Sequence, residues 1–597
     1  MSPHNHLPVL DVEAKLPSPR LARHHLIKGS VICILLTLIL CASLLYPYLS
    51  LVRGFLGVQP DSMTGSLRLP LPDATDIPSQ SQPTHGQDEP LYSGDSDPVW
   101  TYRKGQVKNA FKHALAGYLQ YAYPNDELAP LTGTFTNKFN AWGVSLIDSL
   151  DTMWIMGLKT EFGQAMEHVA SMNFTLSRNG YIPFFETTIR YLGGLLSAYA
   201  LSGETILLSR ADDLGQKLLL AFNATASGMP AYSVHPTTGS PNWGWMGPNV
   251  LFAEVASCQL EFKYLARMTG RLEYYRKAEN VMSILYRANV VDGLFPERWD
   301  SETGEPIVGR ITAGAAVDSG YEYLLKQYLM TGDTKARDQY IKSANGIINH
   351  LLYVSPNRSL LYATDLTRDI PSHRYEHLTC FLPGMLALGA HFVDGMTAKD
   401  RERHLWAARG LAYTCYVSYV DQESRLGPDV LQMRGGGRKW VDLLREWEEG
   451  DGDKRDKSVP PGLGEPPKER TVDGRDYTNL FRGYLLRPET VESLFYLWKA
   501  TGDDRWRERG WEIFQAIEEW CKANYGYATV NSVDIEPFGK DNDMPSWFLA
   551  ETLKYLYLLF DDTNSIPLDR WVFNTEAHPL PVFSWAEWEK RVYNISY

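Results

Sequence analysis

An all-α fold, in which seven helical hairpins close into an α/α barrel, is predicted by two features of the sequence. Apolar residues recur with helical periodicity in fourteen segments between residues 104 and 561. At four equivalent joints a glycine follows one predicted helix and precedes the next, as a left-handed C-cap does: Gly203, Gly270, Gly332 and Gly502. These repeats are compatible with an open solenoid, but apolar residues on both helices of most pairs favour a closed ring.

The segment before the barrel predicts one membrane-spanning helix. Residues 29–52 form a run of 24 residues without a charge, which is long enough to cross a bilayer. A cleaved signal peptide is the alternative, but this run and the 28 residues before it are both long for one. Because basic residues cluster before the span, we expect a type II signal anchor, with residues 1–28 in the cytosol and the bulk of the chain lumenal.

Three further segments depart from the helical pattern. Residues 53–98 are rich in Pro, Ser, Gln, Asp and Thr and predict a disordered lumenal stem, so the globular domain should span 99–597. Residues 435–476 contain three consecutive glycines, a charged run and paired prolines, and predict a mobile surface insertion. Residues 571–579, after the last helix, predict a short strand and a turn.

Charge and composition limit the classes of molecule that the protein can bind. A net charge of -13 and a pI near 5.6 exclude nucleic acid as the main partner, since phosphate binding requires a basic surface. Four N-glycosylation sequons lie beyond the span and agree with a lumenal domain: Asn173, Asn223, Asn357 and Asn594. Four cysteines also lie beyond it and allow three disulfide pairings: Cys258, Cys380, Cys415 and Cys521.

Three carboxylates, Glu186, Asp318 and Glu489, stand at the starts of strongly apolar helices. The helix dipole alone is the simpler explanation for any one of them. In a barrel of hairpins, however, the inner helices are parallel and their N-termini lie at one end, so the three acids would converge on one site. Glu551 is a fourth candidate, for which a buried salt bridge is the alternative interpretation.

Longer motifs carry a family resemblance, and they occupy residues 142–157, 185–190, 318–326, 377–381, 486–493, 550–556 and 574–579. Through them the sequence resembles the class I α-1,2-mannosidases of glycoside hydrolase family 47 over residues 100–597. The resemblance implies an (α/α)7 barrel that a C-terminal β-hairpin plugs at one end, with Ca²⁺ bound at that hairpin. It also implies a monomeric mannosyl-oligosaccharide 1,2-α-mannosidase in the membrane of the endoplasmic reticulum or Golgi.

The reaction that the resemblance implies is inverting hydrolysis of terminal α-1,2-linked mannose on high-mannose N-glycans. Inversion needs one carboxyl group that protonates the leaving oxygen and a second, roughly 6.5 to 9.5 Å away, that activates water. By motif match Glu489 is the base and Glu186 the acid, with Asp318 a third carboxylate near the leaving group. Whether Glu186 or Asp318 delivers the proton stays open at this point.

The resemblance also assigns supporting residues. Thr575 would bind Ca²⁺ through its hydroxyl and main-chain carbonyl oxygens, and Cys380 and Cys415 would form the family disulfide. The sugar pocket would be lined by Arg190, His377, Arg487, Glu492, Trp547, Glu551 and Glu576. The alternative function is a lectin-like quality-control factor that binds mannose with little turnover. It would require the loss of an acid, base or Ca²⁺ ligand, and each of these is present.

One residue departs from the family pattern. Gly320 lies two positions after Asp318, where the relatives usually carry an aromatic residue. Because glycine is the most flexible residue, we expect this substitution to loosen the position of Asp318.

Overall fold

Helices make up most of the computed structural model, which describes residues 97–175, 177, 180–450 and 459–597. The predicted cytosolic tail and membrane span, and the stem up to residue 96, lie outside these ranges. No helix within them combines the length and the apolar character that a bilayer crossing requires. The chain divides into the units Met1–Leu67 and Arg68–Tyr597, and every described residue belongs to the second unit.

The α-helices extend through most of the described chain. Within the described ranges they are α1 (Pro98–Tyr121), α2 (Val144–Asp148), α3 (Leu150–Ile155), α4 (Lys159–Ser171), α5 (Phe184–Glu186), α6 (Gly193–Ser202), α7 (Thr205–Phe222), α8 (Phe252–Ala256), α9 (Gln259–Thr269), α10 (Leu272–Arg287), α11 (Asp318–Thr331), α12 (Thr334–His350), α13 (Leu382–Phe392), α14 (Ala398–Val420), α15 (Trp440–Glu449), α16 (Glu489–Thr501), α17 (Arg505–Trp520), α18 (Leu553–Leu559) and α19 (Glu587–Tyr593). Of these helices, α15 lies in the predicted insertion 435–476, and α19 lies beyond residue 561, where the predicted helical segments end. Two π-helical segments, Thr187–Leu192 and Phe548–Thr552, lead directly into α6 and α18.

The predicted glycine joints are confirmed. Gly203, Gly270, Gly332 and Gly502 follow α6, α9, α11 and α16, and their φ angles are 76°, 67°, 77° and 67°. This left-handed conformation costs glycine little, because it has no Cβ atom. The chain can therefore stop one helix and start its partner within two or three residues.

The helices pack in consecutive pairs. Contacts join α3 to α4, α6 to α7, α9 to α10, α11 to α12, α13 to α14 and α16 to α17, while α18 packs against α1. One helix from each pair belongs to a series in which every helix contacts the next: α3, α6, α9, α11, α13, α16 and α18. The π-helix that precedes α18 contacts α3, so the last member of this series also touches the first.

The expectation of a purely α-helical domain with one terminal hairpin is incomplete, because short antiparallel strands join many of the helices. In the described ranges the strands are β1 (Glu127–Ala129), β2 (Thr134–Thr136), β3 (Ile182–Pro183), β4 (Ser233–Val234), β5 (Pro241–Asn242), β6 (Asn249–Leu251), β7 (Pro296–Asp300), β8 (Pro306–Ile311), β9 (Leu352–Val354), β10 (Leu361–Ala363), β11 (Leu366–Thr367), β12 (Ile370–Pro371), β13 (Arg374–Glu376), β14 (Val430–Met433), β15 (Arg438–Lys439), β16 (Tyr477–Phe481), β17 (Trp571–Phe573) and β18 (Pro579–Pro581). Most have two to four residues, too few for a two-residue periodicity to show in the sequence.

These strands form small sheets in the orders β1-β2, β3-β4-β5, β6-β7-β8-β11-β12, β10-β9-β15, β13-β14-β16 and β17-β18. The strand and turn predicted at 571–579 are found as the β17–β18 hairpin, in which Phe573 pairs with Pro579. The hairpin contacts α6 and α11, two of the helices in the series above. It thereby brings its turn, residues 574–578, to the side chains of those helices.

The described parts of the predicted insertion, 435–450 and 459–476, are packed against the helices. Trp440 and Leu444 of α15 are fully buried, and the indole of Trp440 donates to the carbonyl of Pro461 at 2.7 Å. At its far end Asp476 is buried and accepts hydrogen bonds from the backbone N–H groups of Asn357 and Arg358 at 2.8 and 2.7 Å. The predicted mobility remains a prediction for residues 451–458, which are outside the described ranges.

Arg507 on α17 ties together several of these helices. Its guanidinium carbon lies 3.9 Å from the ring centre of Trp100 on α1 and 4.4 Å from that of Trp498 on α16. Its Nε donates to the carbonyl of Leu559 and its Nη2 to Asp562, both at 2.8 Å. The side chain is only 3% exposed. Its positive charge is therefore removed from water, and these partners must compensate for the lost hydration.

We predict that Arg507→Ala lowers the free energy of unfolding by about 3 kcal/mol, because the change leaves a buried cavity and an unpaired carbonyl and carboxylate. Arg505→Ala is the control, since Arg505 is on the same helix, pairs with Asp503 and is 56% exposed. Its loss should cost less than about 1 kcal/mol. Thermal denaturation of both variants measures the difference, and equal losses would contradict the assigned role of Arg507.

Candidate active site

The three predicted carboxylates stand where helices begin. Asp318 is the first residue of α11 and Glu489 the first of α16. Glu186 ends the short helix α5, one residue before the π-helix Thr187–Leu192. The charge of Glu489 acts on Asp318, while Glu186 pairs with Arg190. Glu489 and Asp318 are thus brought together, and the convergence of Glu186 with them stays a prediction.

Two basic side chains hold Glu489. Its Oε2 is hydrogen-bonded to Nδ1 of His377 at 2.8 Å, and Nη1 of Arg487 lies 3.9 Å from its Oε1. Burial by itself raises the pKa of Glu489, but the His377 hydrogen bond and the two positive charges bring that pKa below its usual value. The other ring nitrogen of His377 contacts the hydroxyl of Tyr419 at 2.6 Å, which fixes the ring. Glu489 is therefore an oriented, ionised carboxylate.

Asp318 has the opposite electrostatic environment. Its carboxylate accepts the backbone N–H of Ser319 at 2.7 Å. Burial, and the negative charges of Glu322, Glu489 and Glu376, raise the pKa of Asp318 to about 7. Near neutral pH this carboxyl group can hold a proton while Glu489 is ionised. Two acids with pKa values driven apart are what acid–base catalysis requires.

Arg190 joins Glu186 to the turn of the β17–β18 hairpin. Its Nε donates to Oε2 of Glu186 at 2.8 Å, while its Nη1 donates to Glu576 in the turn and lies 3.6 Å from Asp148. The Glu186 side chain is 38% exposed, whereas that of Arg190 is 7% exposed. The substrate can thus reach Glu186. Arg190 lies in one π-helix and Glu551 in the other, in agreement with the frequent occurrence of π-helices at functional sites.

Trp547 forms an apolar wall beside these charges. Its ring centre lies 5.6 Å from the guanidinium carbon of Arg190 and 5.7 Å from that of Arg487. The indole N–H donates to the carbonyl of Leu485 at 3.1 Å, and Nε of Arg487 donates to Asp429 at 2.6 Å. The ring is consequently fixed in place and remains partly exposed, as is usual where an aromatic face meets a ligand.

Three further predicted residues, Glu492, Glu551 and Glu576, are buried carboxyl groups that face one another. Burial and the charge of Glu322 raise the pKa of Glu492 to about 8, although Lys326 opposes this. Burial and the charge of Glu576 raise the pKa of Glu551 well above its usual value. Burial also raises that of Glu576, against the opposing charge of Arg190. Carboxyl groups therefore outnumber their positive partners around the hairpin turn, and a cation or sugar hydroxyl donors would favour their ionised form.

Thr575 lies in that turn, between Asn574 and Glu576, and its backbone N–H is 3.5 Å from the hydroxyl of Tyr323. Across the described ranges, no three His, Cys, Asp or Glu side chains are grouped as they are around a metal ion. The hydroxyl and main-chain carbonyl of Thr575 are oxygens that could hold a cation at this turn. Oxygen ligands within a ring of buried carboxylates suit Ca²⁺.

A buried network that the sequence analysis did not identify supports the turn. His578 contacts Asp148 through Nε2 at 3.1 Å and Asp151 through Nδ1 at 2.8 Å, and Lys554 contacts Asp151 at 2.9 Å. The two aspartates and the histidine are completely buried, so each depends on these partners. Asp148 and Asp151 are three residues apart within the motif 142–157, and this spacing on a helix was the available signal.

The predicted disulfide is present: Cys380 and Cys415 are bonded, while Cys258 and Cys521 are buried thiols. Tyr375 contacts the sulfur of Cys415 at 3.0 Å. The disulfide joins α14 to the segment that follows His377. All four sequon asparagines are exposed, namely Asn173, Asn223, Asn357 and Asn594.

The space beside Gly320 is filled from another helix. A Cβ atom on Gly320 would lie 2.3 Å from the ring of Phe252 on α8. That ring stacks on Phe295, with 4.6 Å between the ring centres, and lies 5.5 Å from Tyr321. Phe252 therefore fills the space that a side chain at position 320 would occupy. The expectation that Gly320 loosens Asp318 has no support in this packing.

Paired carboxyl groups with divergent pKa values, near arginines and a partly exposed tryptophan, are the groups that a glycoside hydrolase requires. A comparison with protein-family models identifies the family. The model described as Glycosyl hydrolase family 47 matches residues 110–582. The chain belongs to this family.

Known proteins agree with this assignment. The endoplasmic reticulum mannosyl-oligosaccharide 1,2-alpha-mannosidase of Rattus norvegicus is 40% identical over 494 residues, or 81% of this chain and 68% of that protein. Mannosyl-oligosaccharide 1,2-alpha-mannosidase MNS1 of Arabidopsis thaliana is 38% identical over 499 residues, or 82% of this chain and 81% of that protein. The solved structure of alpha-1,2-mannosidase from Trichoderma reesei has a TM-score of 0.71 and 29% identity, and covers 82% of this chain and 100% of that chain.

The packing around Gly320 generates a prediction. Gly320→Ala should destabilise the protein by about 1 to 3 kcal/mol, because the new methyl group overlaps Phe252. Gly163→Ala is the control, since Gly163 is inside α4 and has open space at the Cβ position. It should stabilise the protein by roughly 0.5 to 1 kcal/mol. Chemical denaturation compares the two, and a stabilising Gly320→Ala would show that the space is not filled.

Proposed function

We propose that this protein hydrolyses terminal α-1,2-linked mannose on high-mannose N-glycans, with inversion at the anomeric carbon. The observation that carries the proposal is the pairing of an ionised Glu489, held by His377 and Arg487, with Asp318, whose pKa is raised to about 7. Hydrolysis by two carboxyl groups needs one of each kind. The named activities of the relatives support the choice of mannose and of the α-1,2 linkage.

In this mechanism Glu489 accepts a proton from water while the water oxygen attacks the anomeric carbon. The bond between that carbon and the leaving oxygen breaks, and the leaving oxygen receives a proton. Asp318 is favoured as the donor, because its raised pKa keeps it protonated near neutrality. Glu186 is exposed and ion-paired with Arg190, which suits a residue that orients the sugar and its leaving group.

The same residues account for sugar binding. Arg190 and Arg487 present guanidinium groups on either side of Trp547, which offers an apolar face to the ring of a sugar. Glu492, Glu551 and Glu576 offer carboxyl oxygens to hydroxyl groups. The hydroxyl and carbonyl oxygens of Thr575 would hold Ca²⁺, and the bound ion would supply a fixed positive charge for sugar hydroxyls. Because all of these residues are present, turnover is favoured over a lectin-like function.

The fold and the cellular setting complete the proposal. We infer an (α/α)7 barrel from the closed series of contacts among α3, α6, α9, α11, α13, α16 and α18, with the β17–β18 hairpin as its plug. The names of two relatives assign those proteins to the endoplasmic reticulum, which supports a place in the secretory pathway for this chain. We propose the membrane of the endoplasmic reticulum or Golgi. The predicted span at 29–52 would make the protein a single-pass type II membrane protein, and we propose a monomer glycosylated at the four exposed asparagines.

The catalytic assignment predicts that Glu489→Gln lowers kcat on a nine-mannose N-glycan by about a hundredfold or more, since an amide cannot accept the proton of water. Sugar binding should persist, because the amide keeps the shape of the side chain. Glu508→Gln serves as the control: Glu508 is on α17 and 53% exposed. Chromatography of released mannose and calorimetry of mannose binding provide the measurements. A kcat within a fewfold of wild type would assign the base elsewhere.

The cation assignment predicts that a chelator abolishes activity and that Ca²⁺ restores it. Mg²⁺ should restore it poorly, because it is smaller and loses water reluctantly. Thr575→Ala should abolish Ca²⁺ binding in calorimetry, whereas Thr367→Ala, at an exposed position in β11, should leave binding intact. Full activity in excess chelator, in protein shown to lack Ca²⁺, would be incompatible with this assignment.

A further inference from the structure

The turn that leads into α11, residues 314–317, is strained and tightly held. Ala316 has a φ of 78°, a left-handed conformation that is uncommon for a residue with a Cβ atom. At the preceding residue, the N–H of Ala315 donates to Oε2 of Glu376 at 2.9 Å. The carbonyl of Ala315 accepts from Nη2 of Arg310 at 3.4 Å. Two side chains thus hold the backbone three residues before Asp318.

Arg310 is itself fixed by carboxylates. Its Nε donates to Glu297 on the neighbouring strand β7 at 3.0 Å, and its Nη1 lies 3.8 Å from Glu376 and 4.0 Å from Asp365. The side chain is 25% exposed, so these ion pairs are only partly screened by water. A guanidinium group with three carboxylate neighbours and one carbonyl partner has little freedom to move.

Glu376 connects this turn to the residues around Glu489. It directly precedes His377, which holds Glu489. A Cβ atom on Gly314 would lie 2.7 Å from Oε2 of Glu376, so the close approach of carboxylate and turn depends on glycine at that position. The chain of contacts therefore runs from Asp318 through the turn and Glu376 to His377 and Glu489.

We propose that Arg310 and Glu376 are positioning residues, whose ion pair holds the turn 314–317 and thereby sets the place of Asp318 relative to Glu489. The inference rests on the proposed function and adds two residues that do not touch the reacting atoms. Removing either partner should release the strained turn and misplace Asp318. The effect should appear in kcat, because the pocket that binds the terminal sugar lies on other residues.

The pair also acts on the proton of Asp318. The charged groups that face Asp318 are Glu322 on its own helix, Glu489 and Arg487 at the start of α16, and Glu376 before His377. Arg310 partly neutralises the charge of Glu376, so the removal of Arg310 should raise the pKa of Asp318. The removal of the charge of Glu376 should lower that pKa. The two variants therefore shift the same titration in opposite directions.

The test compares Arg310→Gln, Glu376→Gln and the control Arg298→Gln in the full-length protein. Arg298 is on strand β7, is 48% exposed and pairs with Glu297, but it does not contact the turn. For the first two variants we expect kcat on the nine-mannose glycan to fall about tenfold or more, with KM changed by less than about threefold. One limb of the pH profile of kcat should move to higher pH in Arg310→Gln and to lower pH in Glu376→Gln. The control should match wild type in every measurement.

Amide hydrogen exchange tests the turn independently of the reaction. Exchange in the peptide covering 312–318 should become about fivefold faster or more in Arg310→Gln and stay unchanged in Arg298→Gln. This separates a failure of the inference from a failure of the proposed function. Unchanged exchange, or pH limbs that move in the same direction, would overturn the proposal. If Arg310→Gln does not fold, Arg310→Lys retains the charge but cannot bridge Glu297 and Ala315, and a wild-type kcat in that variant would equally overturn it.

Discussion

The concentration of buried carboxyl groups at the starts of the inner helices is the constraint on which the rest of the structure depends. Charges removed from water are costly unless positive partners and hydrogen bonds compensate them. The structure supplies Arg190, Arg487, Lys326 and Lys554, each within reach of at least one carboxylate. Compensation is nevertheless incomplete around the hairpin turn. The carboxyl groups that lack a positive partner are the property that a cation and a polyhydroxylated substrate can satisfy.

Differences between neighbouring acids follow from their individual partners. Glu489 has a histidine and an arginine beside it and is ionised, whereas Asp318 has carboxylates for neighbours and keeps its proton to about pH 7. Both stand at the same kind of position, the first residue of an inner helix. The helix dipole is therefore common to the two acids, and their difference comes from the charged side chains around each of them.

Much of this arrangement could be predicted from the sequence. Helical periodicity and the four glycine joints gave the order and pairing of the helices, and the first-turn acids indicated one end of the fold as the site. Other features depend on contacts between distant segments. Phe252 fills the space beside Gly320, and Ala316 adopts a left-handed conformation, although neither residue is unusual in its local sequence. The two π-helices likewise have no recognised sequence signal.

The network of His578 has a consequence for the order of folding. His578 meets Asp148 and Asp151 across 430 and 427 residues of sequence, and α1 packs against α18 at a comparable separation. During synthesis most helical pairs can form as they emerge, because their contacts are local. The residues of the hairpin turn arrive only near the end of translation. An incomplete chain would therefore expose unpaired buried acids, and a growing polypeptide of this kind should be a substrate for chaperones until its last segment is made.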